Sequence, residues 1–259
     1  MRFIISPAKK MKVDTDTLAP LGLPACLERT QELLDWMKGK SLAELKAVWK
    51  CSDRIAQEAF ERLWKTDLKR NLTPAILSYE GIQYQYMAPA VFERGQWEYV
   101  QEHLRILSGF YGILRPMDGV VPYRLEIQAK APEAGSLYAF WGRSLYERLA
   151  GETDCIINLA SREYAVCVEK YLEKGMRYVT CVFGEEQDGR KTPVIQKGTH
   201  AKMARGEMVR FAAEHAVRRP EELKNFDRLG YEYREDYSER GVYVFCKRPA
   251  ALTEPDFMA

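Results

Sequence analysis

The sequence contains 259 residues, of which 46% are hydrophobic, and its 39 Lys and Arg against 37 Asp and Glu give a net charge of +2. A chain of this length and composition can bury a large core. The nearly balanced charge excludes a polybasic coat protein, so any nucleic acid would have to bind at a local patch.

The six cysteines and three histidines argue against a zinc site and against a disulfide-stapled scaffold. The cysteines lie far apart and form no C-x-x-C pair. We therefore expect reduced, buried thiols, a cytoplasmic location, no metal and no cofactor. The opening MRFIISPAKKM is too short for a signal peptide and contains Pro7. No apolar run approaches about 18 residues, so a membrane is not an expected partner.

The first predicted strand covers Arg2–Ile5 and leads into a loop of small residues and lysines. A loop of this kind at the end of a strand commonly holds an anion. The alternative is a basic loop that is simply solvated, and for Lys10 and Lys12 this is the preferred interpretation.

A pair of helices is predicted over about residues 24–50. Apolar residues from Leu27 to Met37 recur at helical spacing, and Gly39 ends the first helix. Ser41 and Glu44 form a capping box at the start of the second. In helix-hairpin-helix modules the amides of such a hairpin hold a DNA phosphate. An ordinary pair of core helices explains the same spacing, so both interpretations stay open.

Two aromatic-rich segments, Ala75–Tyr79 and Ile82–Tyr86, alternate in hydropathy and are joined by a Glu-Gly dipeptide. This pattern predicts a β-hairpin. A helix from Trp97 to Leu107 follows, and Gly109 is interpreted as its stop.

The most informative stretch spans residues 107–127, LSGFYGILRPMDGVVPYRLEI. Turn residues at 115–119 bend two strand-like runs back on each other. Arg115 and Arg124 are planar forks that suit a carboxylate or a phosphate, and Tyr123 and Glu126 lie near them. For either arginine, an ion pair with a glutamate that stabilises the corner is as good an interpretation as ligand binding.

A continuous apolar run predicts a buried strand over Cys155–Leu159, with a helix starting just after it. Ser161 suits the N-cap of that helix, and Glu163 in its first turn favours the helix dipole. Capping is sufficient to explain both residues. Catalysis by Ser161 is the weaker alternative, because no histidine lies near it in the sequence.

A helix over Ala201–Ala216 carries a cationic arc. At 100° per residue, Lys202, Gly206 and Arg210 lie within about 80° of one another, and Arg205 lies about 60° to the other side of Lys202. A glycine inside a helix costs about 1 kcal/mol relative to alanine. A solvated helix face explains the charges, but it does not explain Gly206 unless another element crosses there.

Strands are also predicted at Tyr178–Phe183 and Pro193–Ile195, and a closing hairpin at Gly230–Tyr237 with Gly241–Lys247. The second strand of that hairpin is apolar on both faces, which is typical of a strand inside a sheet.

Six segments carry a resemblance to a known family. They are ISPAK at 5–9, LSGFYGILRPMD at 107–118, PYRLE at 122–126, FWG at 140–142, NLASREY at 158–164 and AKMARGEMVRF at 201–211. In this order and over nearly the whole length, they resemble the YaaA family of prokaryotic peroxide-stress proteins.

The resemblance implies a mixed α/β fold that binds DNA through a basic cleft and a helix-hairpin-helix element. It also implies a role in surviving peroxide, by protecting DNA or helping its repair and by limiting free iron. We expect one α/β domain over 1–259, with a mixed sheet surrounded by helices, whose DNA affinity falls steeply with salt and differs little between sequences. The residues expected to contact DNA are Lys9, Lys38, Gly39, Lys40, Arg115, Arg124, Lys202, Arg205, Gly206 and Arg210.

Two alternatives remain. One is an enzyme that acts on a nucleotide or on DNA in the same cationic pocket, with Tyr123, Glu126, Ser161 and Glu163 as acid, base or nucleophile. The other is a stress-induced scaffold whose partner is another protein.

Overall fold

A sheet of seven strands forms the centre of the computed structural model, which describes residues 1–130, 135–185 and 196–247. In chain order the strands are β1 (Arg2–Ile5), β2 (Lys10–Met11), β3 (Thr73–Pro74), β4 (Tyr79–Glu80), β5 (Leu104–Ser108), β6 (Gly112–Leu114), β7 (Gly119–Val120), β8 (Cys155–Asn158), β9 (Arg177–Glu185), β10 (Tyr231–Tyr233) and β11 (Val242–Lys247).

The seven strands lie in the order β10-β11-β9-β8-β1-β5-β6. The five inner strands run parallel, and the two outer strands, β10 and β6, are antiparallel to their neighbours. Two short antiparallel pairs, β2 with β4 and β3 with β7, lie outside this sheet. The prediction of one α/β domain with a mixed sheet is confirmed.

The inner strands are short and apolar because both of their faces are covered. In β1, Phe3, Ile4 and Ile5 are all buried, and every residue of β8 is buried as well. Phe3 pairs with Leu104 of β5 on one side and with Ile157 of β8 on the other. The predicted strands at Arg2–Ile5 and in the run from Cys155 are therefore central to the sheet.

Helices cover both faces of the sheet. Phe183 of β9 contacts Phe226, which in turn contacts Phe211 in the long helix after β9, with ring centroids 5.9 and 5.6 Å apart. Tyr178, five residues earlier and on the other face, donates to Glu169 Oε1 at 3.1 Å. In chain order the helices are α1 (Leu27–Lys38), α2 (Leu42–Trp49), α3 (Asp53–Lys65), α4 (Ala75–Ser78), α5 (Ile82–Met87), α6 (Arg94–His103), α7 (Leu137–Trp141), α8 (Ser144–Ala150), α9 (Arg162–Glu169) and α10 (Gly198–Glu214).

In the described part of the chain, four 3-10 turns complete the regular structure, at Pro89–Val91, Pro220–Asn225, Arg228–Gly230 and Glu235–Tyr237. Within the described residues, none of the helices combines the length and apolarity needed to cross a bilayer.

The predicted hairpin at Ala75–Tyr79 and Ile82–Tyr86 is wrong, because most of both segments is helical, as α4 and α5. Gln83 and Met87 lie four residues apart on the face of α5 that packs on α10. Packing against a helix therefore overrides an alternation that is too short to separate a period of 2 from one of 3.6.

The predicted helix through Leu107 is also wrong in its second half. Helix α6 ends at His103, and the next five residues, all buried, form β5. Gly109 therefore does not stop a helix. A Cβ at this position would lie 2.6 Å from the carbonyl oxygen of Leu125, so close backbone approach explains the glycine.

Other predictions have mixed outcomes. The corner at 115–119 forms as expected, with β6 before it, but the strand after it is limited to Gly119–Val120. The closing hairpin is confirmed as β10 and β11. The predicted strand at Pro193–Ile195 lies outside the described residues.

Candidate functional site

Three parallel strands end side by side at one edge of the sheet, which we call the carboxyl edge. Ser6 follows β1, Ser108 is the last residue of β5, and Ser161 comes three residues after β8. In open α/β sheets, ligands bind outside the carboxyl ends of parallel strands. The carboxyl edge is therefore the candidate location of a functional site.

The three segments are linked there by hydroxyl groups. Ser6 Oγ accepts from the amide of Ser161 at 2.8 Å and lies 3.0 Å from Ser161 Oγ. Ser161 Oγ donates to Glu163 Oε1 at 3.3 Å, and Glu163 Oε2 accepts from Gln128 at 3.0 Å. Ser161 is the N-cap residue of α9, as predicted, but its hydroxyl makes no capping hydrogen bond. The capping explanation therefore accounts for the position of Ser161 and not for its hydroxyl.

A second chain of hydroxyl groups lies beside the first. Tyr123 OH is 2.7 Å from Ser108 Oγ and 2.9 Å from the hydroxyl of Tyr79. The ring of Tyr79 also packs against Tyr84, whose hydroxyl donates to the carbonyl of Ser6 at 2.9 Å. Tyr123 is thus tied to the carboxyl edge through both β5 and the loop after β1.

Glu126 is a half-buried carboxyl at the same place. Burial raises its pKa above the usual range, Lys9 and Arg124 oppose that shift, and the charge of Glu163 adds to it. Glu126 therefore lies among Lys9, Arg124 and Glu163. The structure brings together all four residues named for the enzyme alternative: Tyr123, Glu126, Ser161 and Glu163.

Lys9 and Arg124 provide positive charge at this edge. Lys9 is exposed and Arg124 is half-buried. Among the residues that the structure describes, neither side chain has a carboxylate oxygen within 4.0 Å, and Arg124 Nε has no hydrogen-bond partner. Arg124 also faces α1–α3, where it lines a small cavity with Arg62 and Thr66.

The amino-terminal end of α10 reaches the carboxyl edge as well. Lys197 and His200 contact Glu185, the last residue of β9, at 2.6 and 3.2 Å. Lys202, one turn into the helix, is exposed and has no ion-pair partner in the described part of the chain. The predicted helix is confirmed, and its first turns carry cations to the same edge as Lys9.

Arg205 points from α10 towards the sheet. Burial raises the pKa of Cys181 to about 12, and the charge of Arg205 opposes that shift, so the two side chains are close. Cys181 follows Thr180, which pairs with Asn158, so it lies level with the end of β1. Burial also lowers the pKa of Arg205, whose Nε has no partner among the described residues.

Gly206 is explained by a crossing helix. It is buried, and a Cβ there would overlap the carbonyl oxygen of Gln83 and lie 2.9 Å from the amide nitrogen of Met87. Both residues belong to α5. The surface of Gly206 is therefore covered by protein, and direct contact with a phosphate would require α5 to move.

Two of the predicted cations lie away from the carboxyl edge. Arg115 follows β6, which runs antiparallel to β5, so it returns to the opposite edge. There its guanidinium lies 3.7 Å from Glu152, which Arg2 and Arg105 also contact. Arg210, about 12 Å along α10 from Lys202 at 1.5 Å per residue, pairs with Glu214 at 2.8 Å.

The helix pair α1–α2 forms with its predicted capping box. However, the hairpin amides already have acceptors: Gly39 donates to Asp35 and Trp36, and Lys40 donates to Met37. The next amide, of Ser41, donates to Glu44 Oε2 at 2.8 Å. A helix-hairpin-helix contact with phosphate needs such amides to be available.

The lysines of this hairpin are also occupied. Lys38 Nζ donates to the carbonyl oxygen of Thr66 at 3.4 Å, and Lys40 lies 3.5 Å from Glu44. Thr66, whose carbonyl Lys38 contacts, lines the same small cavity as Arg124.

Several buried side-chain N–H groups have no hydrogen-bond acceptor. In residues 1–130, 135–185 and 196–247, the buried side-chain nitrogens and oxygens without a hydrogen-bond partner are all N–H donors. They are Trp36 Nε1, Trp49 Nε1, Gln83 Nε2, Arg124 Nε and Arg205 Nε. Burying a donor without an acceptor costs about 1–3 kcal/mol. The arrangement therefore suits a ligand that supplies acceptor oxygens.

Sequence reasoning missed Ser6, Tyr79 and Ser108 as members of the site. The available signal was positional, because Ser6 follows a buried strand directly and Ser108 ends the next parallel strand. Tyr79 was missed because it was assigned to a packed hairpin.

Comparison with known proteins places the chain in a family. A family model described as peroxide stress protein YaaA matches residues 1–237. The chain belongs to this family. It is 56% identical to a UPF0246 protein of Agathobacter rectalis over 252 residues, which is 96% of this chain and all of the relative. It is 55% identical to a UPF0246 protein of Lachnoclostridium phytofermentans over 95% of this chain and 96% of the relative.

A third relative in the YaaA family, a UPF0246 protein of Desulfitobacterium hafniense, is 51% identical over 96% of this chain and 99% of its own length. Family membership covers the segments that carry Lys9, Arg124 and Lys202. Among the described residues, no group of three or more His, Cys, Asp or Glu is placed to hold a metal ion.

Proposed function

We propose that this YaaA-family protein binds DNA in the cytoplasm through phosphate contacts at the carboxyl edge, largely without sequence preference. In this role it protects DNA, or helps its repair, during peroxide stress. One observation supports the proposal: Lys9 and Arg124, from two remote segments, lie close to Glu126, and neither they nor the exposed Lys202 on the first turns of α10 has a carboxylate partner among the described residues. Arg115 and Arg210, two other cations that were expected to contact DNA, do have such partners.

The chemistry of these groups favours phosphate. Lysine and arginine at a groove neutralise backbone phosphates and release counterions, which gives affinity without reading bases. Arg124 and Arg205 also carry N–H donors without partners among the described residues, which suit an acceptor-rich ligand such as phosphate. In this proposal the helical hairpin contributes charge through Lys38, and its backbone amides are not needed.

The direct test is fluorescence anisotropy with two unrelated DNA duplexes of equal length. We expect similar affinities for both. Lys9→Gln combined with Lys202→Gln should weaken binding about tenfold or more, because each removes a phosphate contact. The matched control is Lys10→Gln with Lys12→Gln, which removes the same charge from residues paired with Glu80 and Asp14 at 2.9 and 3.1 Å. Equal losses in the two double variants would reject the assignment to the carboxyl edge.

A second candidate function is an enzyme that acts on a nucleotide or on DNA at the same place. The observation that favours it is the clustering of Glu126, whose pKa is raised by burial, with the linked hydroxyls of Ser6 and Ser161. Carboxyls with raised pKa values are typical of general acids and bases. A nucleotide panel tests it: turnover that Glu126→Gln abolishes, while DNA affinity stays equal or rises, supports the enzyme. No turnover with any substrate counts against it.

A further inference from the structure

The hydrogen bonds of Ser108 determine to which group its hydroxyl donates. Ser108 Oγ accepts from the amide of Phe110 at 3.2 Å and from the amide of Tyr111 at 2.9 Å. A hydroxyl oxygen has two lone pairs and one hydrogen. Both lone pairs are therefore occupied, and the hydrogen of Ser108 is the one shared with Tyr123 OH at 2.7 Å.

This leaves one hydrogen without an acceptor in the tyrosine pair. Tyr123 and Tyr79 share a single hydrogen bond of 2.9 Å, yet together they carry two hydroxyl hydrogens. Neither can donate to Ser108, whose lone pairs are taken. No other acceptor for these two hydroxyls occurs among the described residues. Tyr79 is only 3% exposed, whereas Tyr123 is half-buried, so the pair meets solvent through Tyr123.

The surroundings of the pair show what kind of acceptor fits. Tyr79 pairs through the backbone with Met11, two residues after Lys9. Tyr123 precedes Arg124 and lies within range of the charge of Glu126, beside which Lys9 also lies. Burial raises the pKa of both tyrosines well above the usual value, so both remain protonated donors at neutral pH. The missing acceptor therefore faces a region with two cations and one carboxyl.

We propose that the Tyr79–Tyr123 pair donates its spare hydrogen bond to the oxygen of a terminal phosphate, which Lys9 and Arg124 neutralise. A terminal phosphate is favoured over a phosphodiester because a buried donor is reached more easily by a group that can enter end-on. The proposal rests on the proposed function and names the recognised group: a phosphomonoester, either at a DNA 5′ end or on a free nucleotide.

Binding measurements separate these sources. The probes are one duplex with and without a 5′-phosphate, and a nucleoside monophosphate as competitor. We expect the phosphorylated duplex to bind about tenfold more tightly, as one hydrogen bond to a charged group supplies. Tyr79→Phe with Tyr123→Phe should abolish this preference, while Tyr99→Phe should keep it. Tyr99 is a matched control because its buried hydroxyl donates to the carbonyl of Val217 at 2.7 Å, away from the edge.

A measurement on the unmodified protein guards against misfolding of the double variant. With 13Cζ-labelled tyrosine, addition of the nucleoside monophosphate should shift the NMR signals of Tyr79 and Tyr123 and leave that of Tyr99 in place. DNA binding with no preference for a 5′-phosphate and no shift would overturn the phosphomonoester site while leaving the proposed function intact. Shifts without any DNA binding would keep the site, identify a free nucleotide as its ligand and reject the proposed function.

Discussion

Gly206 of α10 lies directly against the backbone of Gln83 in α5, where the two helices cross. A side chain at Gly206 would meet backbone atoms, which cannot rotate away. We expect Gly206→Ala to lower the free energy of unfolding by about 1–3 kcal/mol, the usual cost of overpacking. Urea denaturation at pH 7 measures this change.

The matched control for that experiment is Gly95→Ala. Gly95 lies in α6, and a Cβ there meets nothing within 4 Å. Alanine should therefore raise the free energy of unfolding by about 0.5–1 kcal/mol, since it restricts the unfolded chain and favours helix. If both variants were stabilised, the helix crossing would not be as tight as described.

Arg124 and Arg115 should differ in their effect on DNA binding. Arg124 lies at the carboxyl edge without a carboxylate within 4.0 Å among the described residues, whereas Arg115 lies 3.7 Å from Glu152 at the opposite edge. Arg124→Gln should weaken DNA binding severalfold and reduce its dependence on salt. Arg115→Gln should leave the affinity within about twofold, because Arg115 lies at the edge opposite the proposed interface. Anisotropy titrations compare the two, and a larger loss for Arg115→Gln would place the interface at the other edge.

Glu126 should make DNA binding depend on pH. Its charge repels phosphate near Lys9 and Arg124, and its pKa is raised by burial. Affinity of the natural protein should therefore rise as the pH is lowered from 7 towards the raised pKa of Glu126 and this carboxyl becomes protonated. Glu126→Gln should bind more tightly at pH 7 and change less with pH. A constant ratio between the two proteins across this range would contradict the placement of Glu126 at the interface.

Asp118 should contribute a pH dependence to stability. Burial raises its pKa from 3.8 to about 6, although the amide and charge of Arg115 oppose the shift. Because the folded state holds this proton more tightly than the unfolded state, the Asp118 contribution is present below about pH 4 and is lost as pH rises through about 6.

Asp118→Asn removes that loss and keeps an oxygen that can accept from Arg115. The difference in free energy of unfolding between Asp118→Asn and the natural protein should therefore grow in favour of the variant between pH 4 and pH 7. The expected growth is on the order of 2–3 kcal/mol, at about 1.4 kcal/mol per pKa unit. Urea denaturation at four pH values between 4 and 7 gives the comparison. A difference between the two proteins that does not change with pH would show that burial does not raise the pKa of Asp118.

Strands β1 and β8 were predictable from the sequence because each is a short apolar run, and helix α10 was predictable because its 17 residues are enough to define a helical period. The capping box at Ser41 and Glu44 was also predictable from the sequence, since it depends on two residues at fixed spacing. Helices α4 and α5 were not predictable in this way, because four and six residues are too few to distinguish the strand period of 2 from the helix period of 3.6.

The site was predictable only in part, for geometric reasons. Lys9 and Glu126 were identified, but their closeness arises from the parallel arrangement of strands and not from spacing along the chain. Arg115 was placed with Arg124 because both lie at or near the predicted corner, yet the antiparallel direction of β6 carries Arg115 to the other edge. Ser108 was overlooked because its role depends on amides that only the folded turn brings to it.

The salt dependence of DNA affinity tests the central claim most directly. If Lys9, Arg124, Lys202 and Arg205 neutralise about four phosphates, the logarithm of the association constant should fall with the logarithm of salt concentration with a slope of about −3 to −4. Replacing Lys9 and Lys202 by glutamine should reduce the magnitude of that slope by about 2. A slope near zero, or one that these replacements leave unchanged, would contradict a phosphate-binding carboxyl edge.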